Sequence, residues 1–197
     1  MQRPTAEDLI DLVWTGPEAP GIVNRDTSVV VREMFQSARE SVLIAGYAVY
    51  QGHVVFKELA DRMEQIPQLD VQMFLDIQRP PHDHSSPAEI VRLFAERFVR
   101  REWPGRRLPG VYFDPRSLDT DHEKRASLHA KCVVVDKEQA FVSSANFTGA
   151  AQTKNIEVGV YLRSSSFARR LAQHFETLAD LHLLKPIPVD CYRLLGT

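Results

Sequence analysis

His129 and Lys131 stand two residues apart, and Asp136 follows five residues later, in the stretch His129-Ala130-Lys131-Cys132-Val133-Val134-Val135-Asp136. Ser143-Ser144-Ala145-Asn146 begins seven residues beyond Asp136, and Asn155-Ile156-Glu157 comes after it. The run Val133 to Val135 predicts a β-strand. Successive side chains of a strand point to opposite faces, so His129 and Lys131 share one face at the rim of a sheet. An imidazole can attack or carry a proton near neutral pH, and an ammonium beside it neutralises oxyanions. That pair suits attack on phosphorus. Asn146 adds a neutral donor without adding charge. Asp136 has the opposite strand parity from His129 and reads as a brace for the site's loops or a subunit contact.

Leu128 to Val160 resembles the catalytic half-site of the phospholipase D superfamily, whose signature is H-x-K-x4-D. Ser144 and Asn146 match that family's small-Ser-x-Asn element, and Asn155-Ile156-Glu157-Val158-Gly159-Val160 matches its Asn-x-Glu strand. Ser143 stands where the family usually has Gly, which the backbone accepts only if no positive φ is needed there. A His-Lys-Asp triplet also arises by chance on a half-exposed strand. The register with Ser144, Asn146 and Glu157 sets this one apart. The resemblance implies an α/β fold, an α-β-α sandwich with a central mixed β-sheet flanked by helices. It also implies metal-independent phosphodiester chemistry through a covalent phosphohistidine, with no cofactor. The implied catalytic set is His129, Lys131, Asp136, Ser144, Asn146 and Glu157. One His129 attacks and a second protonates the leaving oxygen. Lys131 and Asn146 hold the non-bridging oxygens, Ser144 helps shape the pocket, and Glu157 orients His129 through its other ring nitrogen.

Family members commonly carry two copies of the motif in tandem halves. Here the full motif occurs once in 197 residues, so the expectation is a homodimer with the site on its two-fold axis. The length and 44% hydrophobic content fit one domain over residues 1–197, with the motif region at 127–160 and an irregular tail from about 185. A net charge of −2 gives no global basic field. Six arginines nevertheless fall between Arg92 and Arg107, among Glu96, Glu102 and Trp103. One reading is a phosphate-tracking patch, with Arg100, Arg101, Arg106 and Arg107 binding substrate and Trp103 stacking on it. The other is a solvated helix end.

Two cysteines make no disulfide framework, and Cys132 reads as a small buried hydrophobe. No run reaches transmembrane length and no apolar leader is present, so a cytoplasmic protein away from membranes is expected. His82-Asp83-His84, with Asp76 upstream, has a chelating look but lies in a Pro-rich loop without a further fixed ligand, so no metal is assigned. Asp119, Asp121, His122 and Glu123 form a solvated loop or a lid before the catalytic strand. Tyr47 and Tyr50 line a pocket or pack on the core.

The pattern predicts a capping box at Thr5 and Asp8 opening a helix through Val13, then a loop from Trp14 to Arg25. Helices are expected at 27–39, 53–65, 86–101 and from 165 or 166 to about 181. Strands are expected at 41–49, 70–77, 111–113, 128–136, 140–145 and 156–163. Strands alternating with helices indicate the same α/β sandwich. Trp14-Thr15-Gly16-Pro17-Glu18, Gly46-Tyr47-Ala48-Val49-Tyr50 and Ser127-Leu128-His129-Ala130-Lys131-Cys132 resemble the phospholipase D-like subunits of the DISARM antiphage defence system. That resemblance implies partners in a bacterial defence complex: a helicase, a helicase-associated protein and a DNA methyltransferase. The favoured function is a nuclease acting on DNA or RNA. A lipid-directed phospholipase or phosphatidyl transferase, and a non-catalytic nucleic-acid-binding subunit, are the alternatives.

Overall fold

A computed structural model describes residues 9–188 and 190–193. In chain order the elements begin with β1 (Ile10–Thr15), β2 (Arg25–Asp26) and α1 (Thr27–Ser37), then β3 (Ser41–Gly46), β4 (Val49–Tyr50), α2 (Gly52–Val55) and α3 (Lys57–Gln65). Next come β5 (Asp70–Leu75), α4 (Pro87–Arg97), β6 (Gly110–Phe113), β7 (Cys132–Val135), β8 (Gln139–Ser143) and β9 (Phe147–Thr148). The chain closes with α5 (Gly149–Thr153), β10 (Glu157–Leu162), α6 (Ser165–Asp180), β11 (Lys185–Pro186) and α7 (Asp190–Arg193). Nine strands form one mixed sheet in the order β11-β6-β5-β3-β7-β8-β10-β1-β2, while β4 and β9 pair separately. Strands β6, β5 and β3 run parallel, and β3, β7, β8, β10 and β1 alternate antiparallel.

Alternating side chains divide each strand between two layers. Val42, Ile44, Val71, Met73, Val133, Val135, Phe141 and Tyr161 pack under α1, α3 and α4. Leu43, Ala45, Phe74, Val134 and Ala140 pack under α6 through Ala168, Ala172 and Phe175. Helix α6 stops short of one end of its face, leaving Leu12, Val142, Val158 and Val160 partly open to solvent. The helix starts follow local chemistry. Asp26, Ser86 and Ser164 accept from the backbone N–H groups of Val29, Glu89 and Phe167, and Pro87 takes the first turn of α4, where no N–H is needed.

Several expectations are corrected. Residues 10–15 form a strand rather than the end of a helix, because their alternation of buried Val13 and Thr15 with exposed Ile10 and Leu12 fits a sheet next to β10. Thr5 and Asp8 lie outside the described residues. The strand expected at 41–49 breaks after Gly46, where a Cβ would meet the Phe147 ring at 2.7 Å. The helix expected to reach 101 ends at Arg97 and continues as a π-helical turn, Phe98–Glu102. Beyond 185 the chain adds an edge strand on β6 and the short helix α7. The ladder around the motif covers only Cys132–Val135, so His129 and Lys131 precede the strand.

Candidate active site

The chain brings three segments to one end of β7. Ser143 N donates to Lys131 O at 3.1 Å, placing the end of β8 beside the residues before β7. Phe147 N donates to Ala48 O at 3.1 Å, tying the start of β9 to the segment after β3. Ser144, Ala145 and Asn146 therefore bridge from Lys131 to Tyr47 and Ala48. The third segment is the end of β5, where buried Asp76 accepts the Leu128 N–H at 2.9 Å.

Ser143 has no positive φ, so the residue standing in for glycine is not strained. Its hydroxyl accepts from Ala145 N at 2.9 Å and donates to Val158 O at 3.2 Å, fixing the turn that glycine would leave loose.

His129 is exposed, and its ring lies against Tyr47 with centroids 4.5 Å apart. Lys131 Nζ sits 3.2 Å from His129 Nδ1 and 3.3 Å from Nε2, donates to His129 O at 2.9 Å, and lies 5.2 Å from the Tyr47 ring centre. Lys131 is only 8% exposed. Burial pulls its ammonium below the ordinary lysine range, and the charge of Glu157 opposes that pull. Ser144 Oγ donates to Glu157 Oε2 at 2.5 Å, and Asn155 Nδ2 donates to Oε1 at 3.2 Å. The Asn146 carboxamide oxygen is buried without a hydrogen-bond partner among the described residues. An exposed imidazole with a half-desolvated ammonium against it can receive a phosphodiester and stabilise its oxygens; from Asn146 only the carboxamide NH2 group can donate to them.

Other expected site residues take other places. Within the described residues no hydrogen bond joins Glu157 to His129. Its carboxylate is held by Ser144 and Asn155 and acts on Lys131 through charge. Asp136 lies at the far end of β7 and accepts from the backbone N–H groups of Arg39, Glu40 and Ser41 at 2.8–3.1 Å. Its φ of 52° and that of Lys137, 54°, are the left-handed pair that a tight hairpin turn requires, and Asp tolerates that region. The motif's Asp therefore builds the turn and does not reach the site.

The arginines divide. Arg107 donates to the carbonyls of Met63, Ile66 and Leu69, closing the end of α3. Arg92 is held by Glu89 and Glu96. Arg100 lies 3.4 Å from Glu96 in an exposed pair, and Arg101 and Arg106 are exposed. Trp103 cannot stack on a ligand. It is buried between Phe56 and Phe98 and donates to Arg107 O. A Trp with a buried carbonyl partner is a core residue whatever charges flank it.

The polar loops are mostly held by local bonds. Asp83 accepts from Ser85 N, and buried Arg79 donates to the carbonyls of Leu118, Asp83 and Ser85. Asp119 and Asp121 accept from the N–H groups of Asp121 and Glu123, each two residues on, and His122–Lys124 forms a 3-10 turn. No cluster of three metal-ligating side chains occurs among the described residues. Burial pushes the Cys132 thiol up to about 12, so it packs without reacting.

Two residues of the site were weakly legible in the sequence. Tyr47 faces His129 rather than the core. Asp76 holds the catalytic segment through Leu128 N, and burial raises its carboxyl above the usual range. A polar residue directly after a buried strand was its only signal.

The fold and the site together define a class. The family described as cardiolipin synthase, PLD-like domain matches residues 31–179, and the chain belongs to this phospholipase D-like family. The chain is 32% identical over 152 residues to the DISARM protein DrmC of Bacillus paralicheniformis, covering 76% of this chain. It spans about half of that relative, 55% of its length. Among solved structures it resembles Nuc, a phospholipase D family member from Salmonella typhimurium, at TM-score 0.55 and 18% identity, covering 90% of this chain and 96% of that one. The phosphatidylserine synthase of Haemophilus influenzae Rd KW20 aligns at TM-score 0.63 and 17% identity, covering 90% of this chain and 39% of that one. At these identities the two structures establish the fold alone. No helix among the described residues is long and apolar enough to cross a membrane.

Proposed function

We propose that the protein is a metal-independent phosphodiesterase acting on nucleic acid in antiphage defence, working as a homodimer in which two copies of His129 share one site. The observation that carries this reading is the exposed His129 imidazole with the buried Lys131 ammonium 3.2 Å from its ring. In the proposed first step an imidazole nitrogen of one His129 forms a bond to phosphorus as the bond to the leaving oxygen breaks. The partner subunit's His129 delivers its proton to that oxygen. In the second step water attacks phosphorus, the now neutral second imidazole takes its proton, and the phosphorus–nitrogen bond breaks. Lys131 and Asn146 stabilise the non-bridging oxygens throughout. The two imidazoles must hold different protonation states at once, so their titration belongs to the pair. Arg100, Arg101 and Arg106 remain candidates for phosphate contact; Arg107 is occupied by backbone carbonyls. The defence setting is supported by the likeness to the DISARM protein DrmC.

The deciding experiment incubates wild type and His129→Ala with single-stranded and duplex DNA, RNA and phospholipid vesicles, with and without EDTA. Expected are nucleic-acid hydrolysis by wild type that survives the chelator, none by the variant, and an acid-labile phosphoprotein trapped during turnover. Hydrolysis of phospholipid alone would assign the site to lipids. Activity lost to EDTA and restored by a divalent ion would reject the imidazole mechanism.

A further inference from the structure

Next to the site lies a cleft of about 390 Å³ that the proposed chemistry does not use. It opens beyond the carboxyl ends of the parallel strands β3 and β5, the edge at which α/β sheets commonly take ligands. One wall is shared with the catalytic segment. Tyr47, whose ring lies tilted against His129, and Asp76, which holds Leu128 N, both line it. The opposite wall is α4, contributing Ile90, Leu93, Phe94 and Arg97. The volume falls near the lower end of the roughly 300–1,000 Å³ typical of ligand sites. It admits one ring-bearing group and no duplex.

The polar groups of the cleft restrict what that group can be. Asp76 is 7% exposed, and its Oδ2 has no hydrogen-bond partner among the described residues. The Gln78 side chain approaches the Asp76 carboxyl as a donor and opposes the upward pull of burial, yet no hydrogen bond of normal geometry reaches Oδ2 among the described residues. An unpaired buried acceptor is costly unless a ligand supplies a donor. An acyl chain or a glycerol ester offers no N–H to it. A nucleobase offers amino or imino N–H groups on its edge and a flat π face for Tyr47 and Phe94. Arg97 is exposed at the rim, its guanidinium 5.4 Å from the Phe94 ring centre, with no carboxylate partner among the described residues. A guanidinium there suits a phosphate oxygen.

Resting on the nucleic-acid reading above, we propose that this cleft holds the unstacked base beside the scissile phosphodiester, its N–H edge on Asp76, while Arg97 takes the neighbouring phosphate. The substrate is then single-stranded, or a duplex from which one nucleotide has been drawn out.

The test has a binding arm and a cleavage arm. Binding of nucleoside 5′-monophosphates and of glycerophosphocholine is followed by NMR on wild type, Leu93→Trp and Asp76→Asn. Leu93 is 46% exposed on α4, so the larger ring can fill the cleft without disturbing the core. Expected is nucleotide binding by wild type, weakened roughly ten- to a hundredfold by Leu93→Trp on the scale of lost base stacking. Asp76→Asn, which turns an acceptor edge into one that also donates, should change the order of base preference. In the cleavage arm, single-stranded oligonucleotides carry one abasic sugar at successive positions. Cleavage should fall by a similar factor at bonds next to the abasic sugar in wild type, and show no such dip in Leu93→Trp. Uniform cleavage along the abasic series, or glycerophosphocholine binding as tightly as nucleotides, overturns the proposal. Should wild type cut no nucleic acid at all, the proposed function fails, and the binding arm still decides the cleft.

Discussion

The two ends of β7 carry the first and last residues of one motif and are built on opposite terms. At the Asp136 end the motif's polar groups are paired. The carboxylate accepts from three consecutive backbone N–H groups, and Asp136 N donates to Ser41 O at 2.8 Å. At the His129 end the groups are left wanting. His129 is exposed, and among the described residues Lys131 has no carboxylate within ion-pair distance and Asp76 and Asn146 each hold a buried oxygen with no hydrogen-bond partner. Satisfied polar groups stabilise a fold, whereas unsatisfied buried ones persist where a ligand completes them. The contrast assigns stability to one end of the strand and chemistry to the other.

The largest expected effect is at His129. His129→Ala should lower phosphodiester turnover by two to four orders of magnitude or more, while thermal stability stays within about 0.5 kcal/mol, because the side chain is exposed. In a tagged heterodimer with one altered subunit, single-turnover rates should fall nearly as far. A mixed dimer with close to full activity would separate the chemistry from a shared pair of imidazoles.

Lys131→Met should slow the chemical step by about 10²–10³-fold through lost oxyanion stabilisation. Its effect on stability should be neutral or favourable, since a partly desolvated ammonium is removed. The pH dependence has a defined sign. Lys131 has a folded-state pKa below its unfolded value, so its burial penalty is full below the folded pKa and is relieved as pH rises toward the unfolded one. Wild type should therefore gain stability relative to Lys131→Met across that alkaline window. Over the same window the charge needed for catalysis is lost. Urea melts at stepped pH, set beside rate profiles, check both halves.

Asp136→Ala should invert this pattern. Removal of the acceptor for three backbone N–H groups should cost about 2–3 kcal/mol in chemical denaturation, with turnover per folded molecule little changed. A loss of turnover at full stability would place Asp136 in the site after all and end the contrast between the two ends.

Glu157→Gln should have the smallest effect on rate. Ser144 and Asn155 can still meet a carboxamide, so turnover should fall several-fold, with KM nearly constant. A collapse as deep as that of His129→Ala would mean that Glu157 reaches an imidazole in the dimer, as the family pattern first suggested.

The sequence by itself determined the chemistry-bearing words, the layer arrangement and most of the elements. The 3.6-residue periodicity of α1, α4 and α6 and the apolar runs of β3 and β5 are written in their sequences, and Ser86 with Pro87 announces a helix start locally. Residues 10–15 misled because a six-residue strand has too few repeats to exclude a helix, and only pairing with β10 settles its period. The tertiary structure alone decided which polar residues are used up. Arg107 and Arg106 are neighbours of one type, yet Arg107 is bound to three carbonyls some forty residues back in the chain, whereas the Arg106 side chain is exposed. Trp103 reads as a stacking platform until Phe56 and Phe98 close around it. Tyr47 and Asp76 reach the site because β3 and β5 are neighbours that end together, a juxtaposition across nearly thirty residues of chain. Periodicity and caps are local and leave a trace in the sequence. The satisfaction of a donor or acceptor depends on what the fold carries to it from far along the chain.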